Sequence, residues 1–290
     1  MTIPEAEIIW NRFYDKQGHY NDEDFFLFTE AALFLICETR DPHYMFFLGN
    51  AYQNRKDFEL AYKYYQMAAD HGYEDAYEGL GYIWYYGRLG NTDYQKAFEC
   101  FSKAVHNINA QVKVADMYHR GYYVEKDETK YREIIESLYK KCKKRDDWDH
   151  SALCVRLAEI REQEEDTEAA IRFWKEAKRI LTAMVTDYSF FGTYSVLCSA
   201  VRNLYRLIPL DTEHLDLYDL YEVLRKSAKV QLTYHGKQYP IEAAEESDGT
   251  VAVCFNGKWY RSVEDMMMKA EIGGELLSLI SWDIDRIEVV

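Results

Sequence analysis

The chain is short of positive charge: 35 lysines and arginines stand against 50 aspartates and glutamates, leaving a formal charge of −15. A direct nucleic-acid partner needs a basic face for its phosphates, so that class is excluded as an expectation, and so is an anionic membrane surface. Apolar runs are also short. Stretches such as Ala31 to Cys37 are far below the length that spans a bilayer. The first residues, Met1-Thr2-Ile3-Pro4-Glu5-Ala6-Glu7, have no basic segment followed by an apolar core, which points away from a secretory signal and toward the cytoplasm. The six cysteines, at 37, 100, 142, 154, 198 and 254, include no Cys-x-x-Cys pair, so free thiols are expected rather than disulfides or zinc knuckles. No His-x-x-x-His or His-Glu-x-x-His spacing, no Gly-x-x-x-x-Gly-Lys-Ser/Thr loop and no Gly-x-Ser-x-Gly elbow occurs. The expectation is therefore no catalytic residue, no metal and no cofactor.

What the chain does have is a repeated frame. Leu80, Gly81, Trp84, Gly87, Asp93, Lys96 and Ala97 recur 34 residues later as Val114, Ala115, Tyr118, Gly121, Asp127, Lys130 and Tyr131. A fixed period of this size marks stacked helical repeats. Each position has a task in a pair of antiparallel helices. The small residue after Leu80 or Val114 permits close approach, and the aromatic one turn on fills the gap between helices. Gly87 and Gly121 suit a left-handed C-cap. Asp93 and Asp127 suit the N-cap of the next helix, which carries Ala97, Cys100, Phe101 and Ala104 as one apolar stripe.

This frame resembles the Sel1-like repeat family, a bacterial and eukaryotic relative of the tetratricopeptide repeats. A shortened copy holds Leu48, Gly49, Tyr52, Ala61, Tyr64, Tyr65, Ala68, Ala69, Gly72 and Ala76, and a fourth holds Ala169, Ala170, Phe173, Trp174, Glu176 and Ala177 without the turn glycines. Leu89 and Tyr123 stand where the family's second turn glycine is usual. The resemblance covers about residues 43–185. It implies a mainly α protein, a right-handed α/α solenoid of Sel1/TPR-like helix pairs. The 26 tyrosines then read chiefly as interhelical packing.

Outside the repeats, helices are expected near Glu5 to Asp15 and from Asp22, with a loop at Lys16 to Tyr20 between them. Two more are expected at Tyr188 to Leu207 and Asp211 to Lys226, broken at Pro209. After Lys229 the texture becomes β. Val230-Gln231-Leu232-Thr233-Tyr234 alternates, His235-Gly236 and Asn256-Gly257 mark hairpins, and Ile284 to Val290 supplies a last strand. Ser262 is expected to cap a helix running through Met266 to Leu277, bent or broken at Gly273-Gly274. The domains are thus 1–228, a Sel1/TPR-like helical-repeat domain, and 229–290, a small α+β domain with six basic residues against eleven acidic.

The resemblance implies a non-catalytic scaffold that binds a protein or peptide through the concave face formed by the first helices of the repeats. Asn50, Gln53, Tyr82, Tyr86, Asp116 and Arg120 fall between the packing positions and are the expected groove residues. The acidity suggests an alternative, an inhibitor or immunity-type protein that blocks a basic, nucleic-acid-processing enzyme through salt-sensitive contacts. A third class is an enzyme using the C-terminal domain. Unpaired strand edges there, or an exposed terminal helix, could support a homo-oligomer. Of the remaining polar groupings, Asp147-Trp148-Asp149-His150 reads as a capped helix start and Glu162, Glu164, Glu165 and Asp166 as a solvated loop. Asp116 and His119 read as a surface pair, and Lys141, Lys143, Lys144 and Arg145 as a basic helix end.

Overall fold

The computed structural model describes residues 1–14, 21–142, 147–187, 191–211, 213–226, 229–245 and 250–290. The expected loop at Lys16 to Tyr20, most of the 141–145 basic cluster and the start of the helix placed at Tyr188 lie outside the described residues. The chain divides into two compact units, Met1–Leu138 and Tyr139–Val290.

The first unit is built from α1 (Ile3–Tyr14), α2 (Asp22–Thr39), α3 (Pro42–Asn54), α4 (Phe58–Asp70), α5 (Ala76–Tyr85), α6 (Tyr94–Lys103), α7 (Ile108–Arg120) and most of α8 (Glu128–Cys142). Most helix starts carry a polar side-chain cap, whereas Asp75 before α5 makes no such bond. Asn21, Asp41, Asp57, Asp93 and Asn107 accept from the backbone of Asp24, His43, Leu60, Lys96 and Ala110. The 34-residue frame reappears atom by atom. Asp93 N donates to Trp84 O at 3.1 Å and Asp127 N to Tyr118 O at 3.0 Å. Lys96 sits over the Trp84 ring at 4.2 Å, and Lys130 over Tyr118 at 4.8 Å.

Gly87 and Gly121 take φ of 61° and 68°, the left-handed turn expected of them; a Cβ at Gly87 would also lie 2.7 Å from Thr92 N. The second turn position differs between copies. Tyr123 adopts φ of 66°, whereas in the earlier copy Leu89 does not and Gly90 takes φ of 113° instead. The flexible residue has moved by one place, and the turn moves with it.

Between helices, small residues meet rings. Cβ atoms at Gly49 and Gly79 would each fall 2.7 Å from Tyr65, and one at Gly81 would fall 2.4 Å from Phe101. Tyr65 and Phe101 are fully buried. At the start of the unit, Trp10 stacks on Phe28 at 4.9 Å and meets Tyr44 edge-on at 4.9 Å.

The second unit holds the end of α8, α9 (Trp148–Gln163), α10 (Thr167–Asp187), α11 (Phe191–Leu207), a 3₁₀ turn at Leu217–Asp219, α12 (Leu220–Lys226) and α13 (Val263–Lys269). Its strands are β1 (Lys229–Tyr234), β2 (Lys237–Glu245), β3 (Val251–Phe255), β4 (Lys258–Tyr260), β5 (Glu271–Ile272), β6 (Glu275–Leu276) and β7 (Ile284–Val289). Five form an antiparallel sheet in the order β4-β3-β2-β1-β7. Its two tight turns are His235-Gly236 and Asn256-Gly257, all four residues at positive φ, the type I′ geometry that suits strand twist. α13 lies against β3 and β4, and α11 meets both α12 and α13.

Two expectations are corrected here. The helix placed at Asp211 to Lys226 starts only at the 3₁₀ turn. Asp211 directs its carboxylate to Glu213 N and His214, while Asp216 and Asp219 form a reciprocal capping box that sets the start at Leu217. The helix after Ser262 ends at Lys269 rather than Leu277. Gly273 and Gly274, at φ of 67° and 91°, turn the chain between β5 and β6 instead.

Candidate protein-interaction face

The expected groove residues lie on first helices of the repeats, and the structure joins four of the six. Tyr82 and Tyr86 are one turn apart at the end of α5, and their rings stack with centroids 5.9 Å apart and 7° between planes. Tyr82 is also seated edge-on against buried Phe101 at 5.3 Å. Tyr86 is the outer member of the stack, 53% exposed, with the Arg88 guanidinium 5.3 Å from its ring.

The neighbouring α7 supplies the charges, because α5 and α7 lie side by side. Lys113 sits 5.8 Å from the Tyr82 ring and 5.4 Å from Tyr85, and pairs with Asp116 at 3.8 Å. One turn further, Arg120 is exposed and lies over Tyr122 at 5.9 Å. A hydrogen bond with Tyr122 raises the guanidinium pKa further. The Gly121 turn brings Tyr122 back onto Tyr94, stacked at 4.3 Å, while Tyr85 meets both rings. Burial raises the Tyr85 phenol, with nearby Arg120 opposing it. Burial likewise raises the Tyr94 phenol, so the Tyr85 and Tyr94 hydroxyls are neutral at physiological pH.

Asn50 and Gln53 do not join this cluster. Asn50 accepts from the Tyr65 hydroxyl at 2.7 Å and so serves the packing of α3 on α4. Gln53 is half-buried, and its Oε1 is a buried oxygen without a hydrogen-bond partner. Lys113, Tyr85, Tyr94, Tyr122 and Arg88 were missed. Only Lys113 had a local signal, its i, i+3 spacing from Asp116.

Other polar readings also change. Asp116 pairs with Lys113, while His119 Nδ1 meets Glu128 at 2.8 Å and its ring lies 4.7 Å from Tyr131. The 162–166 run is anchored rather than merely solvated. Trp174 Nε1 donates to Glu162 at 2.6 Å, Arg206 also pairs with Glu162, Arg161 pairs with Glu164, and Asp166 caps α10. All six cysteines are free, and Cys142, Cys154 and Cys198 are buried.

In the second unit, a cavity of about 480 Å³ opens beside Lys178, Tyr205, His214, Asp216 and Asp219. Lys178 reaches Asp219 at 2.5 Å and Asp216 at 2.8 Å, and the Tyr205 hydroxyl donates to Asp219 at 2.7 Å. Burial alone would depress the ammonium, but the two carboxylates reverse this and hold it above the usual lysine range. One ammonium faces two carboxylates here, and burial with the neighbouring Asp216 raises the Asp219 carboxyl although Lys178 opposes it. Among the described residues, no helix is long and apolar enough to cross a membrane.

Comparison with known proteins agrees with this repeat geometry. The Sel1 repeat family model matches residues 31–73, 74–107 and 108–130. A crystal structure of a Sel1 repeat protein from Oxalobacter formigenes is similar with a TM-score of 0.56 at 17% identity, over 78% of this chain and 86% of that one. The C-terminal part of a TPR repeat-containing protein from Cytophaga hutchinsonii gives a TM-score of 0.39 at 14% identity, over 72% of this chain and 92% of the other. No curated protein matches the sequence. The molecule is mainly helical with a small antiparallel sheet at its C-terminal end, and its residues 31–130 match the Sel1 repeat model in three successive segments.

Proposed function

We propose that this protein is a non-catalytic scaffold whose α5–α7 face binds a protein or peptide segment. Repeats of this kind are in general protein–protein interaction scaffolds. The observation that carries the reading here is Tyr86: a large ring, 53% exposed, held rigidly by its stack on Tyr82 and flanked by Arg88. A preordered aromatic beside a half-buried guanidinium, with the exposed Arg120 on the neighbouring helix, is the residue chemistry that dominates interface energetics, because little side-chain entropy is lost on binding. The ligand it suits is an extended segment presenting an apolar or aromatic side chain to Tyr86 and a carboxylate or backbone carbonyl to Arg120.

The test is selection of binding peptides from a random displayed library, followed by titration of the selected sequences against Tyr86→Ala and Arg120→Ala variants. Each substitution is expected to weaken binding by about tenfold or more, with the melting temperature unchanged. Peptides that bind equally to both variants would place the interaction surface elsewhere.

A further inference from the structure

The turn between α3 and α4 has a close copy between α9 and α10. Lys56 and Glu165 both adopt φ of 62°. Asp57 and Asp166 follow them and cap the next helix, accepting from Leu60 N at 3.1 Å and Ala169 N at 3.0 Å. Their own amides reach back to Tyr52 O and Arg161 O at 3.0 and 2.9 Å. In this register Cys154 stands where Met45 stands, and Glu176 where Met67 stands. An apolar pair therefore suffices for packing in one copy, and a thiol and a carboxylate replace it in the other.

The replacement is not isolated. His150, one turn before Cys154 on α9, is 1% exposed, and its Nε2 lies 3.1 Å from Glu176 Oε1. Cys154 is fully buried. The donor atoms of His150, Cys154 and Glu176 all lie within 4.8 Å of one another, the only such grouping among the described residues. Tyr139 supports the set from outside: its hydroxyl donates to Glu176 Oε2 at 3.0 Å and its ring meets His150 at 5.2 Å.

We propose that His150 Nε2, Cys154 Sγ and Glu176 form a binding site for one divalent transition-metal ion, zinc by donor type. Zinc is held by nitrogen at about 2.0–2.1 Å, sulfur at about 2.3 Å and carboxylate oxygen at about 2.0–2.2 Å, so tetrahedral donors stand about 3.4–3.7 Å apart. The widest separation needs to close by no more than about 1.4 Å, and the His150–Glu176 pair, already at 3.1 Å, to open by a few tenths, to reach that arrangement. The set mixes a thiolate with imidazole and carboxylate, which selects zinc or cobalt over magnesium or calcium. Tyr139 is the outer partner that fixes the carboxylate, as second-layer hydrogen bonds do around bound metals. Three protein donors leave a fourth tetrahedral position for water or for a ligand brought by another molecule. The His150–Cys154 spacing of one helical turn was visible in the sequence; Glu176 is supplied by the pairing of α9 with α10.

The experiment uses the full chain, stripped with chelator and titrated with Co²⁺ and Zn²⁺. One equivalent of Co²⁺ is expected to give a thiolate-to-metal charge-transfer band, displaced by Zn²⁺. Zinc in about 100-fold excess over its Kd should raise the melting temperature by several degrees. Cys154→Ser should abolish the band, and Glu176→Gln, which keeps the side chain's shape but removes its charge, should weaken cobalt binding by about tenfold or more. Absence of the band in the wild-type chain, or a band and thermal shift unchanged in both variants, would overturn the site.

Discussion

Replacing Gly81 with alanine sets two effects of opposite sign against each other. In a helix interior alanine is favoured over glycine by about 1 kcal/mol, so on helix propensity alone Gly81→Ala stabilises α5. The new Cβ, however, would fall 2.4, 2.5 and 2.9 Å from three atoms of the Phe101 ring. Ordinary contact needs roughly 1 Å more. Phe101 is fully buried and flanked by Tyr82 and Tyr85, so the ring has nowhere to retreat without moving the aromatic cluster. Overpacking of this kind costs about 1–3 kcal/mol, and it outweighs the propensity gain. The expected result is a net loss of about 1–2 kcal/mol in urea unfolding followed by circular dichroism. In a Phe101→Leu background the clash is gone, and Gly81→Ala should become neutral or stabilising. The third repeat is consistent with this: it carries Ala115 at the Gly81 place and Ile135 rather than a ring at the Phe101 place. A stabilising Gly81→Ala in the wild-type background, or an equal cost in both backgrounds, would refute the close approach of α5 to α6.

Asn107→Ala should cost about 1–2 kcal/mol in the same assay, because Asn107 caps α7 through Ala110 N and also donates to Asp75 and Glu78 at 2.9 Å each, tying consecutive repeats together. Lys178→Met should cost about 3–5 kcal/mol by leaving the buried Asp219 carboxylate without its cation, and a Lys178→Met/Asp219→Asn double variant should recover much of that loss in thermal unfolding. Burial pushes the Cys100 thiol up to about 11 and the Cys198 thiol up to about 12. A raised pKa means that the folded state holds the proton more tightly, so this stability is full below about pH 9 and is lost between about pH 9 and 12; the loss should be shallower in Cys100→Ala and Cys198→Ala when denaturation midpoints are followed against pH.

The parts of the fold that the sequence discloses are those set by contacts a few residues long. Asp93 and Asp127 cap helices through backbone groups three residues on, and Gly87 and Gly121 answer a local demand for positive φ. Signals of that range survive in a linear string, which is why the repeats, the two hairpin turns and most helix starts are legible. The failures fall where a distant partner or a competing local bond decides. Asp211 looked like a helix start until Asp216 and Asp219 claimed the role through their mutual box. Glu162 looked solvated because Trp174 and Arg206 are 12 and 44 residues away.

The same distinction explains why the proposed binding face was only partly legible. A tyrosine between packing positions can face a neighbouring helix or solvent, and spacing along one helix does not decide which. Tyr82 does both: its edge meets buried Phe101 while its face carries Tyr86. Asn50, on the equivalent first helix, is drawn inward because Tyr65 offers it a hydroxyl. Removing Tyr82 would therefore change packing and recognition together. Tyr86 and Arg120 are the positions where the two separate, since both are exposed and each leans on the cluster without filling it. Loss of peptide binding in Tyr86→Ala at an unchanged melting temperature follows from that division of roles, and an equal loss of stability at Tyr82 and Tyr86 would show that the stack is one packing unit with no free face.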